Sequence, residues 1–260
     1  MTGGLIAAIR TLTILPAPGR EAGRMSSALP WFPLVGALLG GAIYGLAAGV
    51  EALSGGWPGG AAAAALAGGV VITGALHLDG LADWADGFGG GRDREKILDI
   101  MKDSSTGVFG AVALVLVLLI KWVSISRLAA SGNLIWLAAA CVISRTAMVE
   151  LAVWLPYARL EGGTGSEIVE GARSAHRAGA VFIALSVLLV LGGPAGALSL
   201  AGGWIACRGY GLWCRRRVGG ITGDLLGAGG ELIEALMLSV FALAGPELVR
   251  YAVWGRWPGF

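Results

Sequence analysis

Apolar runs of membrane-spanning length constrain this chain more than any other feature. A hydrocarbon core about 30 Å thick needs roughly 20 apolar residues per helix. The sequence offers about seven such runs, at 31–53, 60–76, 108–125, 134–155, 178–191, 196–213 and 231–253. The expected fold is all-α, a polytopic membrane helical bundle with about seven transmembrane helices forming one integral membrane domain over 1–260. The fifth and sixth runs are short and joined through Gly192, Gly193 and Pro194, so they read as a hairpin or a re-entrant pair. Composition agrees: 56% of the residues are hydrophobic and only 14% charged, against about 25% charged in soluble domains.

Lys and Arg near span ends favour the cytoplasmic side. With the N-terminus inside, that side collects Arg10, Arg20 and Arg24, then Arg92, Arg94, Lys96 and Lys102, then Arg159, Arg173 and Arg177, then Arg215, Arg216 and Arg217. Arg127, Arg250 and Arg256 fall opposite. The first 15 residues, interrupted by Arg10, lack a cleavable signal pattern and read as a lead-in lying at the membrane surface. A bacterial inner membrane, with cytoplasmic loops at about 156–177 and 214–230, is the expected home. A net charge of +2 in scattered clusters excludes nucleic acid as a partner. Membrane lipid is the expected surroundings, and a homo-oligomer is open. The 45 glycines suit close helix packing in lipid, and Cys141, Cys207 and Cys214 read as small packing residues because no metal-site spacing joins them. Trp31, Trp57, Trp136, Trp154, Trp254 and Trp257 fall near span ends, as an aromatic belt requires.

The chemistry concentrates in a cytoplasmic segment at about 77–107. His77, Asp79, Asp83 and Asp86 begin directly at the end of an apolar run, and the offsets 79, 83 and 86 put three carboxylates on one helix face. Ionised groups so placed are expensive unless functional, and an all-oxygen set suits Mg²⁺ or Mn²⁺ better than zinc. Glu95, Asp99 and Asp103 repeat at i+4 on a second expected helix. The run Ser104, Ser105, Thr106, Gly107 before the next apolar helix offers donors for an anion. Within the spans Lys121, Arg145 and Glu150 should face the interior, with Arg145 and Glu150 as a candidate pair.

The runs from His77 through Asp83 to Gly87, Gly90 to Arg94, and Ile100 to Gly107 resemble the cobalamin synthase (adenosylcobinamide-GDP ribazoletransferase) family. Leu12 to Pro16, Phe32 to Gly36, Tyr157 to Gly165, and Gly220 to Gly227 with Glu231 and Glu234 are similar to the same family, so the likeness runs nearly end to end. It implies a Mg²⁺-dependent transferase that joins adenosylcobinamide-GDP to α-ribazole or its 5′-phosphate and releases GMP. On that reading Asp79, Asp83 and Asp86 hold metal, and Asp83, Lys102 and Asp103 serve catalysis. His77, Arg92, Arg94, Ser104, Arg159, Glu161, Asp224 and Glu231 contact substrate. Independently, a diphosphate substrate needs cationic neutralisation and an aligned hydroxyl, which carboxylate-bound metal and basic side chains supply. Two other classes share parts of the pattern. A CDP-alcohol phosphotransferase would carry a longer spacer and an Ala-Arg pair lacking here, and a transporter would cluster its polar groups at mid-membrane depth.

Overall fold

The computed structural model describes residues 2–21, 23–159, 161–163 and 165–245. The chain opens with α1 (Thr2–Leu12), whose Ala7, Ala8 and Leu12 are buried, followed by a 3-10 turn at Met25–Trp31. α2 (Phe32–Ser54) starts at a proline, which a first helical turn tolerates, and stops at Gly55 in the left-handed region. α3 (Pro58–Thr73) repeats both devices, ending at Gly74. α4 (Leu76–Gly90) then leaves at 91° to α3. The expected second span therefore stops at Thr73, because Gly74 (φ 61°) and Ala75 (φ 59°) turn the chain, and hydropathy does not sense a change in φ. α4 packs on α10 and α6, with His77 buried at its start and its carboxylates further along the helix.

α5 (Arg94–Ile100) is capped by Asp93, whose carboxylate accepts the Lys96 amide, and it ends before Asp103. The expected i+4 ladder of Glu95, Asp99 and Asp103 thus breaks, with Asp103 on the loop. α6 (Val108–Ala130) and α7 (Ile135–Trp154) cross the bundle. α7 is the central post, buried along 94% of its apolar window and packed on α2, α9 and α10. Gly36 and Gly40 of α2 let it approach: a Cβ at either would sit 2.7 Å from the Cys141 carbonyl oxygen or 2.5 Å from the Ala138 Cα. Trp136 belongs to this core. It is 2% exposed and its ring lies 4.7 Å from that of Phe241, so it is no part of an aromatic belt.

After α8 (Ser166–Glu170), α9 (Ser174–Val218) runs for 45 residues with non-helical Gly192 and Gly193 inside it. A Cβ on Gly196 would collide with the Leu188 carbonyl oxygen. Eight residues of continuous helix span about 12 Å, so α9 folds back on itself as a hairpin of two arms. α10 (Gly223–Ala244) is capped by Thr222, whose hydroxyl accepts the Leu225 amide. It begins two turns before the expected start at Glu231. The remainder of the expected last run, with Arg250, Trp254, Arg256 and Trp257, lies outside the described residues.

Among the described residues, five helices qualify as spans by length and composition, and α3 with α4 passes only as a bent pair. With the bent pair taken as one segment and α9 as two, about seven segments traverse the bundle. The chain is a multi-pass membrane protein.

Candidate active site

Four pieces of chain meet at the face that carries α4. Residues 156–158 pair with 220–221: the Ala158 amide donates to the Ile221 carbonyl and the Ile221 amide to Pro156, each at 2.9 Å. Arg94 clamps the same junction by donating to the carbonyls of Val218 (2.9 Å) and Ala158 (2.7 Å). Arg217 closes the end of α4 through the carbonyls of Phe88 and Gly91. These ties set α4 against the start of α10. Gly80 makes the contact possible, since a Cβ there would lie 2.6 Å from the Asp224 carbonyl oxygen.

That contact brings Asp224 beside the carboxylates of α4. Asp79 is exposed and Asp83 half-buried, on successive turns. The Asp83 carboxyl is pushed up to about 7, first by burial and then by repulsion from Asp79 and Asp224, with Arg159 opposing. Arg159 reaches Asp224 at 3.1 Å and the Met101 carbonyl at 3.4 Å, while its buried Nε has no partner among the described residues. Three carboxylates and one guanidinium therefore form a partly desolvated, net negative cluster.

The other expected residues divide. Asp86 faces α6: its two oxygens accept the amides of Gly107 (2.7 Å) and Gly110 (2.9 Å). The α6 N-terminus expected to receive an anion is thus filled by the chain's own carboxylate, which suits the positive end of a helix. Lys102 pairs with Glu161 at 3.0 Å in the open, and this contact holds the Glu161 carboxyl low. Asp103 accepts the Ser105 amide, which lowers its carboxyl also. Arg92 and Ser104 are exposed at the same face. A cleft of about 550 Å³ between α4, α5 and the start of α6 carries Asp86, Lys96, Asp99 and Asp103.

His77 and Glu231 sit deeper. His77 is buried with Nδ1 unpartnered, its Cα close to where a Cβ on Gly227 would fall. Glu231 is held by Lys121 at 2.5 Å, and Lys121 also reaches Glu234 at 2.8 Å. Arg145 pairs with Glu234, not with Glu150 as the sequence suggested, because positions five apart on α7 face different helices, α10 for Arg145 and α9 for Glu150. Glu150 turns instead to Arg177 and Arg208. Sequence reading missed two parts of the site's frame. One is the Arg217 tie, and the other is an aromatic cluster in which Trp84 lies 5.3 Å from Trp213 and 6.3 Å from Tyr210 between ring centroids. The only signal in the sequence was the unusual position of Trp84 between Asp83 and Asp86.

The donor set fits a hard divalent cation, because it consists of carboxylate oxygens whose mutual repulsion a cation would relieve. Among the described residues, no three His, Cys, Asp or Glu side chains close on a common point. The carboxylates are neighbours that a cation would draw together.

Fold and site define a polytopic helical membrane protein with an acidic, arginine-bridged site at one face of the bundle. The sequence model of the family described as Cobalamin-5-phosphate synthase matches residues 4–242, and the chain belongs to that family. An adenosylcobinamide-GDP ribazoletransferase of Chlorobaculum parvum is 48% identical over 94% of this chain and 96% of its own. Enzymes of the same name from Chlorobium phaeobacteroides (46%, covering 90% and 95%) and Syntrophobacter fumaroxidans (44%, covering 84% and 87%) are also similar. The chain is accordingly an enzyme of the transferase class. No solved structure matches it.

Proposed function

We propose that the chain joins adenosylcobinamide-GDP to α-ribazole, or to α-ribazole 5′-phosphate, at the cytoplasmic face of a bacterial inner membrane. A ribose hydroxyl of the acceptor forms the new bond to the phosphorus that bears cobinamide. The bond from that phosphorus to the bridging oxygen breaks, and the oxygen leaves with GMP. The observation that carries the proposal is the convergence of Asp79, Asp83 and Asp224 around Arg159, in a chain whose near relatives are named for this transfer. The family's description as Cobalamin-5-phosphate synthase supports the phosphorylated acceptor as an alternative.

Asp79, Asp83 and Asp224 would hold Mg²⁺, with Asp224 in the place expected of Asp86. When bound, the cation neutralises diphosphate charge as it develops. Arg159 anchors Asp224 and supplies the positive charge of the cluster. Lys102, Arg92 and Ser104, exposed on the flanking loops, attract and orient the diphosphate. Asp103, on the adjoining loop, would take the hydroxyl proton, because a cation held by Asp83 keeps that carboxylate ionised and weakly basic. Arg94 and Arg217 act as struts, since backbone carbonyls occupy their guanidinium groups. His77 and Glu231 support α4 from below.

The test is product analysis. Purified protein in liposomes is given adenosylcobinamide-GDP with either acceptor, and separately a CDP-linked lipid with an alcohol. Formation of the joined corrinoid with equimolar GMP is expected, and CMP release from the CDP lipid without GMP release would overturn the assignment.

A further inference from the structure

A second site stands apart from the carboxylates. Between α7 and the two arms of α9 lies a cavity of about 1090 Å³. Its walls are apolar, with Ala178, Leu185 and Ala201 among them, and it opens sideways past Phe182 and Trp204, which are 74% and 52% exposed. One polar cluster interrupts the wall. Glu150, buried on α7, meets Arg208 at 3.3 Å and Arg177 at 3.6 Å. Arg208 also stacks 3.5 Å over Trp154, which fixes its guanidinium in place. Two cations against one anion leave a positive excess. The cluster lies toward the α4 face, since Arg177 is in the first turn of α9 and Glu150 in the last turn or so of α7.

We propose that this cavity binds one anionic diacyl phospholipid, its acyl chains between the arms of α9 and its phosphate against Arg177 and Arg208. Three observations support this ligand over others. The opening faces the lipid side of a membrane bundle, so a chain from the bilayer enters without crossing water. The surplus guanidinium sits at headgroup depth on the basic, cytoplasmic side, where pockets between spans take anionic headgroups. The second arm of α9 separates the cavity from the transfer site, because its opposite face carries Tyr210, Trp213 and Arg217 against α4. The inference is independent of the proposed reaction, and its test uses no turnover.

The full chain, purified in detergent and shown to be folded, is exposed to phosphatidylglycerol, phosphatidylcholine or water-soluble glycerophosphate, and bound lipid is counted by native mass spectrometry. One phosphatidylglycerol per chain should be retained in preference to phosphatidylcholine. Arg177→Gln should lower that retention about fivefold, as expected for one basic residue near a headgroup. Ala201→Trp, which leaves both arginines intact and fills the cavity, should lower it as well. Glu150→Gln should raise it by freeing both guanidinium groups. Equal retention of the two lipids, unchanged retention in Arg177→Gln and Ala201→Trp, displacement of the lipid by glycerophosphate, or a dimer that retains no lipid would each overturn the proposal.

Discussion

Asp83 and Asp86 sit on one helix less than a turn apart and have opposite environments. Asp83 is raised from its ordinary 3.8 to about 7 by burial and by Asp79 and Asp224, so the folded chain keeps a proton that the unfolded chain has released. Stability without divalent cation should therefore fall as pH rises between those two values. Thermal unfolding of cation-free protein from about pH 5 to about pH 8 should show a declining midpoint, and Asp83→Asn should flatten the decline. Asp86 instead accepts two amides of α6. Asp86→Ala should cost about 1–2 kcal/mol of stability, as a lost helix cap does, whereas Asp224→Asn should leave the unfolding midpoint nearly unchanged and cut turnover. The sequence made Asp79, Asp83 and Asp86 visible as one acidic face. It could not reveal that Asp86 is turned to α6, because helical spacing fixes which side chains are neighbours and not what packs against them. Asp224, 138 positions after Asp86 in the numbering, was expected from the sequence as a substrate contact, and its place beside Asp83 required the packing of α10 on α4.

At the scale of elements, α2, α6 and α7 were legible from hydropathy to within a few residues, since each is a single uninterrupted apolar run. The break between α3 and α4 was not, because left-handed Gly74 and Ala75 lie inside an apolar stretch. The start of α10 was hidden for a different reason. Gly223, Gly227, Gly229 and Gly230 read as a flexible loop, but packing overrides their weak helix propensity: Gly227 meets His77, and Gly229 meets Tyr210 and Leu151. The contact of α4 with α10 depends most on Gly80. A Cβ there would sit 2.6 Å from one backbone atom of Asp224 and 2.9 Å from another, neither of which can rotate away. Gly80→Ala should displace the start of α10, costing about 1–3 kcal/mol as overpacking does, and should reduce turnover while helix content by circular dichroism is kept. Gly45→Ala, where a new Cβ meets nothing within 4 Å, is the control and should change neither.

For the whole molecule, the distribution of positive charge in the sequence put one set of loops on one side. The structure brings α4, α5 and residues 156–159 and 218–224 together at one face, while Arg127 ties the far end of α6 to Ala242 of α10 at 2.7 Å. Beneath the site, Lys121 and Arg145 from α6 and α7 grip Glu231 and Glu234 of α10. Their cost in lipid was evident from the sequence, but their pairing required the packing of three helices. Lys121→Met would leave Glu231 with no cation partner and should destabilise the bundle by about 3–5 kcal/mol, read as a lowered unfolding midpoint in detergent. On the proposed reading, this bundle supports a carboxylate site for cation-assisted transfer of a cobinamide phosphate. The most direct test of that reading is Mg²⁺-dependent GMP release from adenosylcobinamide-GDP and α-ribazole by the protein in liposomes, beside folded Asp83→Asn. Release that is abolished by EDTA, restored by Mg²⁺ and reduced at least about 100-fold in the variant is the predicted result; release indifferent to EDTA and to Asp83→Asn would contradict the account.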